Sequence, residues 1–226
     1  MAIQNHAGIF WSPRIESILN RIGRAIPVDT PPPARRGKIE RVLHVITQMH
    51  AVGGHTKLLG QWAKADTARE NALVITQHRG PIPDFIKDVF GDRLYRLNTS
   101  PGGHIEWVKR LRKLAAGYDA VVLHTHGDDV LATIAFAEPE RHPPVILLNH
   151  ADHVLWLGSS VSHLVINLRD AAQDLTIERR GVAKDRNVLL PTLVEPIHRT
   201  RTRDQAKREI GVDPDTPLIV SVARSV

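Results

Sequence analysis

With 226 residues, 42% of them apolar, and no cysteine, the chain is long enough to bury a core and offers neither disulfides nor thiolate metal ligands. No apolar run approaches the ~20 residues of a membrane-spanning helix, and no secretory-type apolar segment opens the chain, so a cytoplasmic protein is expected. The net charge of +6 is unevenly placed: Arg14, Arg21, Arg24, Arg35, Arg36 and Lys38 against Glu16 and Asp29 give +4 within residues 1–38. That distribution speaks for a cationic arm and against a nucleic-acid-binding domain.

The arm carries Phe10, Trp11, Ile15, Ile18, Leu19, Ile22 and Ile26 at approximately helical spacing. Ser12 and Pro13 suit the N-cap and first position of that helix. The stretch from Pro27 to Arg36, with Pro31-Pro32-Pro33, cannot continue it and reads as a stiff linker. Two uses of the helix stay open: contact with an anionic membrane surface through its arginines, or burial of its apolar face against protein.

From Ile39 onward short apolar runs alternate with helical segments. Val42–Thr47, Leu73–Gln77, Leu94–Leu97, Ala120–Thr125, Val145–Asn149, Leu164–Leu168 and Val188–Leu190 read as strands. Lys57–Ala65, His104–Ala115, Asp129–Ala137 and Asp170–Arg180 read as helices between them. Several strands are apolar throughout, as in a parallel sheet covered on both faces. The expected fold is therefore α/β, a Rossmann-like doubly wound, mostly parallel sheet. Beyond Pro196 a polar connector leads to a short helix at Gln205–Ile210 and an apolar run at Leu218–Ala223, which reads as the first strand of a second domain cut short.

Three strand ends carry candidate chemistry. The first strand leads into Gly53-Gly54 before a helix, a turn that lets backbone N–H groups approach an anion. It matches neither a dinucleotide fingerprint nor a P-loop. The run Leu123-His124-Thr125-His126-Gly127-Asp128 delivers two histidines on one face of a strand toward the next loop. A metal reading of that pair needs a third ligand. His150 or His153 could supply one, but no carboxylate–histidine spacing supports it, and no metal or other cofactor is expected. For His124 a core role bonded to backbone competes with a functional one. The third strand end gathers Asn149, His150, Asp152 and His153 before Leu155-Trp156-Leu157, polar groups beside an aromatic surface that would suit a sugar ring.

In order and spacing these segments resemble the N-terminal domain of GT-B retaining glycosyltransferases, family 4 among them. The strand, Gly-Gly turn and helix of Val42–Ala65 are similar to that family's opening. Asp119–His126 is similar to its D-V-V-H-x-H strand, and Val145–His150 to its strand ending in T-x-H. Gly181–Pro191 resembles the segment before the family's interdomain crossover, although Thr192-Leu193 stands where Asn-Gly is usual. Ala206–Gly211 and Leu218–Arg224 resemble the start of the second domain, with Ala223 in place of a glycine.

The resemblance implies an arm and linker at 1–38, an acceptor-side GT-B domain at 39–197 and the beginning of a nucleotide-sugar domain at 198–226. It implies a sugar transferase acting from a nucleotide-sugar donor, held mainly by the second domain, onto a glycan or lipid-linked acceptor. His150 would then lie against the transferred sugar as the catalytic contact. Gly53, Gly54, His126, Asp128, Asp152 and His153 would line the substrate side. A nucleotide-sugar epimerase of the same fold, and a non-catalytic binding module, are the alternatives.

Overall fold

The computed structural model describes residues 8–27, 37–51, 53–192 and 198–220. The chain forms two compact units, Met1–Thr192 and Leu193–Val226. In the first, strands β1 (Arg41–Ile46), β2 (Glu70–Ile75), β3 (Leu94–Arg96), β4 (Ala120–His124), β5 (Val145–Asn149), β6 (Leu164–Asn167) and β7 (Asn187–Leu189) make one sheet. Its order is β3-β2-β1-β4-β5-β6-β7 and every pairing is parallel. The doubly wound expectation holds, and the strands are nearly continuous apolar runs because helices cover them.

Helices α1 (Pro13–Ala25), α2 (Gly54–Ala65), α3 (Asp84–Phe90), α4 (His104–Ala115), α5 (Val130–Ala135) and α6 (Asp170–Arg179) complete this unit. Alternation along the strands sends successive side chains to opposite faces. Leu43, Val45, Val74, Val121, Leu123 and Leu147 build one core with residues of α1, α4 and α5. Ile46, Leu73 and Ile75 build the other with Leu59 of α2 and Ile86 and Phe90 of α3. The sequence pattern contains no separate signal for α3, which is only seven residues long.

Helix α1 begins as read: the Ser12 side chain accepts from the Ile15 N–H, and Pro13 opens the first turn. Its buried face, however, is not the isoleucine series. Glu16, Leu19, Gly23 and Ile26 turn inward, while Ile15, Ile18 and Ile22 are 43–47% exposed. Two contacts select that face. A Cβ on Gly23 would lie 2.3 Å from the Ile134 carbonyl oxygen, so only glycine allows this approach to α5. The Glu16 carboxylate accepts from the N–H groups of Gly158, Ser159 and Ser160 at 2.7–3.2 Å and from the Ser159 hydroxyl. Both outweigh the ordinary preference for burying isoleucine, because a buried charge left unpaired costs several kcal/mol. Arg112 of α4 adds a third tie, donating to the carbonyls of Gly23, Ile26, Ile134 and Ala135. These are the C-terminal ends of α1 and α5, where free carbonyls and the helix dipole favour a cation. The expected linker at Pro27–Arg36 lies almost wholly outside the described residues.

The second unit contains α7 (Arg203–Glu209), opened by a capping box between Thr202 and Gln205. The Lys207 ammonium donates to the carbonyls of Pro214 and Thr216. Leu218–Val220 are not in a strand, and the rest of that expected strand, Ala223 included, lies outside the described residues. Among the described residues no helix is long and apolar enough to cross a membrane.

Candidate functional site

Strand order reverses between β1 and β4: the chain winds outward from β1 to β3, then crosses to the other side of β1. In open parallel sheets ligands bind beyond the carboxyl ends of the strands at such a switch point. The three sequence features meet there. Thr47 leaves β1 and the chain reaches Gly53, at φ 141° and ψ 151°, a conformation that L side chains rarely adopt. A Cβ on Gly53 or Gly54 would meet nothing within 4 Å, so the first turn of α2 opens onto free space.

His126 and His150 stand at the ends of β4 and β5, and His55 joins them from the first turn of α2. The His55 and His150 rings stack with centroids 3.7 Å apart and 6° between planes. His126 completes the group at 5.7 Å from His55 and 6.0 Å from His150. Burial, then the charges that protonation would place on His150 and His126, push His55 down to about 2. Burial, then His126, lower His150 to about 4. Burial also lowers His126, with Asp128 opposing. All three are neutral at pH 7, each with one N–H and one lone pair.

The loop carrying His126 is held from beneath. Its backbone N–H donates to the Thr47 hydroxyl, which in turn donates to Asp129 at 2.7 Å. Asp129 also accepts from the Thr76 hydroxyl and caps α5 through the Leu131 N–H. Gly127 is the tightest point: a Cβ there would lie 2.1 Å from the Leu155 carbonyl oxygen. The end of β5 is fixed by a ladder of amides, Asn149 donating to Asn167 and Asn167 to Asn187, each at 3.0 Å.

Behind His126 runs a buried chain. Asn71 donates its amide N–H groups to the Asp66 and Arg69 carbonyls, which turns its oxygen toward His44 Nε2, 2.9 Å away. His44 Nε2 is therefore the donor and Nδ1 the acceptor, and His124 Nε2 donates to that Nδ1 at 3.0 Å. Burial lowers His44 to about 4 and His124 well below its ordinary value, consistent with two neutral rings. His124 is thus a core histidine, but its partner is His44 rather than backbone.

The other expected site residues are placed differently. Asp128 is exposed, and it is the neighbouring Asp129 that is buried. The Asp152 carboxylate is engaged by Arg169 in two hydrogen bonds of 2.5 and 2.7 Å, which hold it below the usual carboxylate range. The His153 ring is largely exposed, 3.7 Å from Asp152. Arg180, fully buried, donates to the Asp152 and Val154 carbonyls and lies 4.5 Å over the Trp156 ring. Asp152 and Trp156 therefore organise the loop after β5.

A cavity of about 440 Å³ opens on the same edge of the sheet, lined by Gln48, Gln77, His78, Arg79, Gly80, Asn98, His104 and Trp107. Its floor is pre-set: His78 Nδ1 accepts from the Met49 N–H, and the His78 carbonyl accepts from Arg96 and Asn98. The Asn98 amide oxygen is buried with no partner, an acceptor waiting for a donor. Neither His55 nor these lining residues stands out in the sequence. The available signal is position alone, since Gln48, Gln77, Asn98 and His55 each follow within a few residues of a β1, β2 or β3 end or open α2.

No family model and no curated protein matches the sequence. Solved structures do. Anabaena Alr3699/HepE in complex with UDP and glucose aligns at TM-score 0.53 and 12% identity over 76% of this chain and 50% of that one. The lipopolysaccharide outer core galactosyltransferase WaaB in its apo form aligns at TM-score 0.44 and 10% identity, over 66% and 44%. UDP-GlcNAc 2-epimerase from Neisseria meningitidis aligns at 0.42 and 15%, over 66% and 46%. The domain has a GT-B glycosyltransferase-like fold. The likeness rests on the HepE alignment, and the chain spans about half the length of HepE. This GT-B-like domain presents its glycine turn, its histidines and its cavity on one edge, the carboxyl edge of the sheet.

Proposed function

We propose that this domain is the acceptor-side half of a glycosyltransferase, family 4-like and retaining, that moves a sugar from a nucleotide-sugar donor to a glycan or lipid-linked acceptor. The observation that carries the reading is the convergence of Gly53-Gly54, His126 and His150 at the switch point, on the sheet edge that also carries the polar cavity. The cavity combines hydrogen-bonding groups with the Trp107 ring, and a sugar offers hydroxyls at its rim and C–H groups on its faces. Its volume is in the range of small-molecule sites. HepE, which shares the fold, was solved with UDP and glucose. In this reading the amides around Gly53 approach the donor diphosphate, His150 lies against the transferred sugar, and the cavity takes the acceptor. Neutral His150 orients the sugar by hydrogen bonding and is given no general-base role.

The test is His150→Ala in the protein paired with its nucleotide-binding half. Turnover should fall roughly 100-fold or more, the scale of misplacing a reacting group by about an ångström, with the circular dichroism spectrum unchanged. Native-like turnover would remove His150 from the site. Isomerised donor formed without any acceptor would favour a nucleotide-sugar epimerase.

We also infer that α1 meets an anionic membrane surface. Ile15, Ile18 and Ile22 form an exposed stripe flanked by exposed Arg14 and Arg21, the combination of apolar area and cations that binds lipid interfaces. Anionic liposomes should sediment the protein, and Ile18→Glu with Ile22→Glu should release it. Equal binding by the variant would sink the idea.

A further inference from the structure

Three histidines come together from three separate elements, and among the described residues no carboxylate is hydrogen-bonded to any of them. His55 Nε2 is buried and has no hydrogen-bond partner. One ring nitrogen from each of His55, His126 and His150 lies within 4.8 Å of the other two. We propose that His55, His126 and His150 form a three-histidine site for a divalent transition metal, zinc being the ion whose chemistry it fits, with a fourth position left for an oxygen ligand.

The donor set decides the class of ion. Three neutral imidazoles and no carboxylate or carbonyl oxygen disfavour magnesium and calcium, which demand oxygen, and suit zinc or its neighbours in the transition series. Three protein ligands with one open position is the pattern of reactive rather than structural zinc. With zinc–nitrogen bonds of about 2.0–2.1 Å, the three nitrogens of a tetrahedral site lie roughly 3.4 Å apart. Closing from a separation under 4.8 Å therefore asks for about an ångström of side-chain movement, and the stacked His55 and His150 rings must also turn apart, because the ion lies in the plane of each imidazole that binds it.

Outer contacts already orient the ligands. His150 Nδ1 donates to the Leu148 carbonyl at 3.4 Å, which leaves the lone pair on Nε2. The His126 backbone is tied through Thr47 to Asp129. Such supporting bonds commonly fix metal-binding imidazoles. The open position would take water, or a phosphate or hydroxyl oxygen of a bound substrate. This inference does not rest on the transferase reading, because metal binding is measured with no sugar present; with an ion on His150 Nε2 a sugar would meet the ion's open position in place of the ring's own hydrogen bond.

The experiment is titration of the metal-stripped protein with Zn²⁺ by calorimetry and with Co²⁺ by visible absorption. One equivalent should bind, and cobalt should give the intense bands of tetrahedral coordination. His55→Asn and His126→Asn should each weaken binding roughly 100-fold or more, while His153→Asn and His78→Asn leave it unchanged. Absence of saturable one-equivalent binding in the unaltered protein overturns the proposal whether or not the variants fold. So does binding that survives replacement of all three histidines, since the remaining ten would then be its source.

Discussion

His124 closes β4 and His126 lies two residues further on, in the loop that follows rather than on the strand, and the two belong to different groups of histidines. His124 joins His44 inside the sheet, in a hydrogen-bonded chain that ends on Asn71. His126 joins His55 and His150 at the mouth, where the rings approach one another without carboxylates between them. Both groups are neutral, and burial is the first cause in each. The difference is in how the rings are linked. Inside the sheet they are joined by hydrogen bonds, His124 to His44 and His44 to Asn71. At the mouth His55 and His150 meet by stacking, and the proposed metal would be what joins them. In the proposed reading, the step from the end of β4 into its loop separates a structural histidine from a binding one.

The largest expected consequence of the interior group is acid lability. A histidine whose native pKa is depressed binds fewer protons folded than unfolded. Its contribution is therefore complete above the unfolded value of 6.5 and is lost as pH falls toward the folded value of about 4 for His44. That single group corresponds to roughly 3 kcal/mol across the window, and His124 acts in the same direction. Urea unfolding followed from about pH 7 to about pH 4 should show stability falling steeply, and His44→Gln should flatten the fall. A wild-type profile level across this range would mean that the interior histidines are not held neutral.

Most of the frame was legible because its signals are local. Runs such as Val145–Asn149, and the helix His104–Ala115, coincide with the observed elements residue for residue. Ser12-Pro13 marked the start of α1 for the same reason. What sequence could not give is pairing across the chain. His55 and His150 are 95 residues apart and stack only because α2 begins where β5 ends. The salt bridge of Asp152 to Arg169 has no sequence signature either. The choice between the two uses of α1 is out of reach for a related reason: hydrophobicity ranks Ile18 above Glu16 for burial, and only the three amides of Gly158–Ser160 reverse that order. The cavity escaped because its residues are gathered from the ends of β1, β2 and β3 and the start of α4.

A paired substitution sharpens the contrast with smaller effects. Asn71→Leu removes the acceptor from His44 Nε2 and the two amide bonds to the Asp66 and Arg69 carbonyls. A buried N–H left without a partner costs about 1–3 kcal/mol, so the variant should lose that much stability while zinc binding at the mouth is retained. His126→Gln should do the reverse. The ring is half-buried and, among the described residues, only its backbone is hydrogen-bonded, so stability should move by no more than about 0.5 kcal/mol while metal binding collapses. Both are read by urea unfolding alongside the cobalt titration. If His126→Gln destabilises the domain as much as Asn71→Leu does, the mouth histidines are holding the fold together, and the division between the two groups fails.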